Sequence, residues 1–393
     1  MAGKRSCNNI NTLPLDLKVE ILMKLPTKYL VRFQCVSKQW KSIIKDFIVI
    51  DTIVTRSSLT QQPSRDLHFI FNRHHAYNYN TTSVFSYVHD PHQFTNQEQK
   101  LYHEEICGRT FGNKTRFQFQ YVRGLVGIRR SSRYINDFKI YNITTRKTIS
   151  LPCSPQRLSF YLLGYDPLEN QYKVVCLAKQ ISYLQEMLSS MPCQVFTLGD
   201  PNKKWMDIQC GIGSHYPSGT PVCINGVIYY KAVIRYPNRS DVLLSFDVRS
   251  QRFNHVQGPD NRLISLENST LINYQGKLAC ICRNNTFFNK DVDMWVMENA
   301  EKQEWSKLTF LGMLQGLTSR VRIAKVTPPG GEVVVVHNVK WSKHASYVYY
   351  YDPKRNIPRR VEIQTTISSQ RLTPSNHFTV WPVTDHVENI TSL

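Results

Sequence analysis

Between residues 87 and 363 one local pattern recurs six times at a nearly fixed interval, and this cadence constrains the fold more than any other feature of the chain. Each copy is an aromatic or apolar strand end, a polar turn and a second short strand. The copies are YVHDPHQF from Tyr87, YNITTRKTISL from Tyr141, FTLGDPNKKWMDI from Phe196, FDVRSQRFNHV from Phe246, MENAEKQEWSKL from Met297 and YDPKRNIPRRVEI from Tyr351. Their starts are separated by 54, 55, 50, 51 and 54 residues. That spacing matches a kelch-like blade of four short strands, and six blades close a ring. A lone blade has two apolar faces and can bury them only against neighbours, which drives stacking around a central axis.

The strand runs agree. Past Thr55-Arg56-Ser57-Ser58 the apolar period becomes two, in Leu67 to Phe71, Tyr172 to Val175, Val227 to Tyr230 and Val333 to Val336. Upstream of the hairpins, GLVGI, LLGY, CINGVIYY and LINYQGKLACI supply inner strands, and Asn225-Gly226 and Gln275-Gly276 suit tight antiparallel turns. The expected fold is therefore mainly β: a small helical segment followed by a β-propeller-like domain of six blades. Two stacked sheets, a β-sandwich, are the alternative. The expected divisions are a flexible N-terminus over 1–10, a helical unit over 11–55, a linker over 56–66 and the β domain over 67–393.

The helical unit differs from everything after it. Pro14 suits a first helical position, having no amide hydrogen to leave unsatisfied, and Asp16 sets negative charge in the first turn. Leu17, Ile21, Leu22 and Leu25 keep one stripe apolar until Pro26 stops the helix. Thr27 can cap a second helix carrying Leu30, Val31, Phe33 and Val36, and Ser37 a third carrying Trp40, Ile43 and Ile44. Three short helices are too few to bury a sufficient core alone, so part of their apolar surface should be spent on a partner.

The string LPLDLKVEILMKLPTKYLVRFQCVSKQWKSII resembles the F-box, matching in order at Leu13-Pro14, Asp16-Leu17, Glu20-Ile21-Leu22, Leu25-Pro26, Leu30, Arg32-Phe33, Cys35 to Lys38 and Trp40. That resemblance implies docking onto a Skp-type adaptor, and through it onto a cullin and a RING subunit of a ubiquitin ligase. It also implies that Leu13, Pro14, Leu17, Ile21, Leu22, Val31, Val36 and Trp40 face the adaptor. GYDPLENQYKVV, CINGVIYY, FDVRSQRF, LINYQGKLA and WVMENAEKQEWSK resemble the plant F-box-associated domain of type 3, from about Gly124 to HVENI. The kelch diglycine and the Trp-Asp dipeptide of WD propellers are missing, so no ligand rule of those families transfers. The function implied is a substrate receptor of a Skp, cullin and F-box ligase, not itself an enzyme, with no cofactor and an unknown target. The alternative is an F-box protein whose β domain binds a small molecule, glycan or nucleic acid without directing degradation.

The residue inventory points the same way. The chain has 393 residues, 49 Lys and Arg against 29 Asp and Glu, and a net charge of +20. The cations come as singles and pairs such as Arg129-Arg130, Lys203-Lys204 and Arg359-Arg360, with no basic tract. Such spreading suggests steering of an acidic partner protein rather than a phosphate-binding patch. No apolar run is long enough for a membrane span, and MAGKRSCNNI lacks a signal's apolar core, so cytoplasm or nucleus is expected. Of the ten cysteines only Cys280-x-Cys282 is a close pair, and it would point both thiols to one strand face without making a zinc site; reduced, often buried thiols are expected. The sequons at Asn142 and Asn389 are then inert. His68, His74, His75, His89, His92 and His103 repeat no metal spacing, and Gly330-Gly331 reads as a turn. Asp166, Asp247 and Asp352 sit where Asp caps turns, not where it would catalyse. The insertion Gln180 to Pro192 is a candidate target-binding loop.

Overall fold

The computed structural model describes residues 13–25, 27–33, 35–45, 66–74, 79–88, 102–111, 116–131, 136–152, 159–178, 192–235, 238–259, 269–283, 291–311, 313, 321–326, 333–337, 346–352, 357–363, 377–383 and 389. Three helices, α1 (Leu15–Lys24), α2 (Thr27–Phe33) and α3 (Lys38–Lys45), precede the strands. The first sheet begins with β1 (Asp66–His74), β2 (Tyr79–Val88) and β3 (Tyr102–Phe111). The second is β4 (Arg116–Val122), β5 (Leu125–Ser131), β6 (Asn136–Asn142) and β7 (Lys147–Ser150). The third is β8 (Ser159–Asp166), β9 (Gln171–Ala178), β10 (Cys193–Thr197) and β11 (Met206–Ile208). The fourth is β12 (His215–Ile224), β13 (Val227–Ile234), β14 (Ser240–Asp247) and β15 (Arg252–Val256). The fifth is β16 (Ser269–Tyr274), β17 (Lys277–Arg283), β18 (Val292–Asn299) and β19 (Glu304–Phe310). The sixth is β20 (Val321–Val326), β21 (Val333–His337), β22 (Ser346–Asp352) and β23 (Ile357–Ile363). The last strand, β24 (His377–Val383), returns to pair with β1, so the described strands make six antiparallel four-stranded sheets.

The sheets stand as the blades of a propeller. The leading strands β4, β8, β12, β16, β20 and β24 pack beside one another, and Val383 on β24 shares an apolar cluster with Phe117 and Phe119 of β4. All six repeat starts in the sequence fall at the end of a blade's third strand, just before its outer strand. GLVGI, expected as an inner strand, instead contributes to β5, the second strand of its blade.

Period two explains why the blades stack. On β9, Val174 and Cys176 enter the core shared with the second blade, while Val175 and Leu177 enter the core shared with the fourth. Successive side chains point to opposite faces of a strand, so a run buried throughout feeds two interfaces at once. Each fully buried Val or Leu contributes ~1.5–3 kcal/mol.

Polar ties span the same interfaces. Gln120 of β4 donates to the Tyr161 carbonyl at 2.6 Å and accepts from the Leu163 N–H at 2.7 Å, joining two blades where no strand pairing does. Lys173 of the third blade donates to the Val248 carbonyl at 3.2 Å, and Lys231 of the fourth to Ser269 Oγ at 3.0 Å. Burial pulls the Lys231 ammonium pKa down. Arg129, buried against the Phe160 ring at 4.4 Å, is pulled by desolvation to about 10 and still carries its charge at neutral pH.

The turns follow two rules. Arg123-Gly124, Asn225-Gly226 and Gln275-Gly276 all have positive φ at both positions and close two-residue hairpins, the pattern of type I′ turns. Four-residue turns use an Asx cap: Asn142, Asp247 and Asn299 each accept, through Oδ1, the N–H three residues on, at 3.0, 2.6 and 2.9 Å. The fourth residue of each loop, Arg146, Gln251 or Gln303, then takes a left-handed conformation. Asp166 also caps its turn, its Oδ1 accepting from the Leu168 N–H two residues on at 2.9 Å, so Asp166 and Asp247 have the turn role expected of them. Asp352 ends β22 at the equivalent place. Gly330-Gly331 lie outside the described residues.

Close approach of blades requires glycine at Gly164, where a Cβ would meet Val248 Cγ2 at 2.6 Å and Ile228 Cδ1 at 2.7 Å. Gly211 has open space around the same atom. Gly164→Ala is expected to destabilise the ring by ~1–3 kcal/mol through overpacking, and Gly211→Ala to change stability by less than ~0.5 kcal/mol. Chemical denaturation of the two variants checks the contrast.

Candidate partner-binding surfaces

The helical unit is ordered by backbone capping. Pro14 lies one residue before α1, in an extended conformation, and its carbonyl accepts from the Lys18 N–H at 3.1 Å; it is the cap, not the first helical residue. Asp16 occupies the first turn as expected. Thr27 opens α2 from within, whereas Ser37 caps α3, its Oγ accepting from the Trp40 N–H at 3.2 Å. Beneath lies a small core of Leu22, Leu30, Trp40, Ile43 and Ile44, with Phe33 set edge-on to Trp40 at 5.7 Å.

This core divides the eight residues expected to face an adaptor. Leu22 is 0% exposed and Trp40 6%, and both pack in the helical core. Leu17 (46%), Ile21 (43%) and Val36 (67%) are exposed, as is Pro14, and Leu13 is half-buried. The Val31 side chain lies outside the described residues. Leu15, 59% exposed and absent from the expected set, adds to the apolar surface. Leu17 and Ile21 are four residues apart on α1 and share a face.

In the ring, antiparallel order puts the connections on two faces. Links from first to second strand and from third to fourth lie on one face; links from second to third strand and between blades lie on the other. In the third blade β9 ends at Ala178 and β10 begins at Cys193, so the insertion Gln180 to Pro192 falls between its second and third strands in sequence. All of it except Pro192 lies outside the described residues.

Among the described residues no group of three His, Cys, Asp or Glu is placed to hold a metal ion. His75, His89 and His92 lie outside the described residues, as do the side chains of His68, His74 and His103. Cys280 and Cys282 do share one strand face, their sulfurs 3.8 Å apart and buried. Cys176, Cys193 and Cys210 are also buried and form no disulfide. His215 is buried, its Nε2 2.9 Å from the Tyr230 hydroxyl and its Nδ1 3.1 Å from the Gly213 carbonyl, which satisfies both ring nitrogens internally. No helix among the described residues is long and apolar enough to cross a membrane.

Sequence comparison joins these parts. A family model for the F-box domain matches residues 10–51, and one for the F-box associated beta propeller domain matches residues 66–387. The chain belongs to the F-box proteins. Two Arabidopsis thaliana relatives carry the likeness end to end. The protein At5g50220 is 40% identical over 388 residues, covering 97% of this chain and 91% of its own. F-box protein At1g52495 is 38% identical over 393 residues, covering 96% and 86%. A chain of the nidogen/laminin complex aligns at 9% identity with a TM-score of 0.44, covering 81% of this chain and 99% of its own. This is thus a plant F-box protein of the receptor type, with an F-box and an associated propeller.

Sequence reasoning missed the bond set of Asn389. This residue is fully buried; its Nδ2 donates to the Arg123 carbonyl at 2.9 Å and to the Tyr172 hydroxyl at 2.6 Å, and its carbonyl accepts from Asn142 Nδ2 at 3.0 Å. The two sequon asparagines therefore bond each other inside the ring. The repeated Asn-Ile-Thr at 142 and 389 was the available signal, though it names no partner.

Leu22→Ala should destabilise the F-box helices by ~2–5 kcal/mol, as a large-to-small change in a core does. Leu17→Ala should cost less than ~1 kcal/mol because its side chain is already half in water. Helical circular dichroism during thermal unfolding distinguishes them.

Proposed function

We propose that this F-box protein is the substrate-recognition subunit of a Skp, cullin and RING ubiquitin ligase, working in the cytoplasm or nucleus. The carrying observation is apolar surface left over: a helical unit with its own filled core still exposes Leu15, Leu17, Ile21 and Val36. Burying such residues on a Skp-type adaptor removes apolar area from water at ~25 cal/mol per Å² and anchors the chain to the cullin and RING subunits. The ring would then hold a target protein. No residue of this chain is assigned a step in ubiquitin transfer; the contribution is proximity, which turns an encounter between target lysine and charged conjugating enzyme into an effectively intramolecular event.

The division between core and surface residues makes the reading testable. Leu17→Asp/Ile21→Asp should abolish co-purification with a Skp-type adaptor while leaving the helical signal and melting of the protein unchanged, because apolar anchors dominate such interfaces. Undiminished adaptor binding by this folded variant would refute the assignment.

A further inference from the structure

The face that carries the third-to-fourth strand turns has a charge pattern that the sequence order hides. Arg146 and Lys147 stand at the β6–β7 turn, Lys203 and Lys204 at β10–β11, and Arg249 and Arg252 at β14–β15. All six are exposed. Scattered along the chain, they fall at one structural position in three neighbouring blades. The fifth blade ends the arc, because its equivalent turn carries Glu301, Lys302 and Glu304.

Three of the six cations sit on turns of defined backbone conformation. Arg146 and Lys203 are left-handed residues of their turns, and Arg249 lies inside a loop whose Asp247 cap is bonded to Ser250 at 2.6 Å. Preorganised charges lose less on binding than flexible ones. Two features within the arc select the kind of partner. Asp200 and Asp247 are interleaved with the cations, and a continuous phosphate backbone would have to run past both carboxylates. Leu168, on the β8–β9 turn of the same face, is 70% exposed and offers an apolar contact. A polypeptide that alternates acidic and apolar residues satisfies the cations and the leucine together; a nucleic acid does not.

We propose that this face of the second, third and fourth blades binds an acidic, apolar-containing segment of a partner protein. The proposal rests on the receptor reading and narrows it to a class of target segment.

The test uses the full-length protein and a fluorescently labelled short peptide of Asp and Glu with interspersed Leu. Arg249→Glu/Arg252→Glu should weaken binding on the order of tenfold or more, since reversed charges at an interface repel. Arg235→Glu/Arg239→Glu makes the same change in net charge on the second-to-third strand connection of the same blade, on the opposite face, and should leave binding within about twofold if only distant screened charge is altered. Leu168→Ser should weaken the Leu-containing peptide and not an all-acidic one. Equal losses in the two arginine variants, no peptide binding at low salt, or tighter arc-dependent binding of a single-stranded oligonucleotide would each overturn the proposal. Adaptor co-purification of the same variants is scored in parallel: retained adaptor binding with failed peptide binding refutes the arc and leaves the receptor reading standing.

Discussion

A four-stranded sheet with two apolar faces cannot be stable in water by itself, and every other feature of the ring answers that constraint. Alternate residues of one strand serve two different cores, as Val174 and Val175 do, so no blade owns its hydrophobic interior. Stability is then a property of neighbours, which is how stacked repeats behave. The F-box helices meet the same constraint differently. Among the described residues they fill a core of five and leave Leu15, Leu17, Ile21 and Val36 exposed.

Polar groups inside the blade interfaces make that stacking specific. An apolar interface alone tolerates sliding, but Gln120 must meet both the carbonyl of Tyr161 and the N–H of Leu163, and Lys173 must reach the Val248 carbonyl. A buried donor left without its acceptor costs ~1–3 kcal/mol, so displaced registers between blades are penalised. The same logic governs Gly164, where the neighbouring blade occupies the space of a side chain.

The blade count was legible because the third strands recur at a nearly fixed interval, and in β6, β14 and β18 the strand ends in an Asx residue followed by a turn with a left-handed fourth position, chemistry that leaves a trace in sequence. Asn225-Gly226 and Gln275-Gly276 were legible for the same reason, while Arg123-Gly124 was not, since arginine is an unusual first residue for a type I′ turn. The apolar stripe of the helices was legible, but a stripe pattern shows that Leu17, Ile21 and Leu22 are apolar and cannot say which of them the packing of α2 and α3 buries. Leu22 and Trp40 lie in the core, and Leu15, Leu17 and Ile21 are exposed. Asn389 was invisible because closure of the ring brings its partners to it, and the basic arc because it depends on three successive blades stacked side by side.

The first blade is assembled from both ends of the β domain, since β1 pairs with β24, and Asn389 bonds to Arg123 of the second blade from 266 residues away in sequence. During synthesis the early strands must therefore wait, with an open sheet edge, until almost the whole domain has left the ribosome. Closure over so long a loop makes folding slow, and a chain cut short before β24 would keep the apolar face at Phe117 and Phe119 uncovered. The topology thus makes ring closure the last event of synthesis, dependent on the arrival of Val383 and its strand.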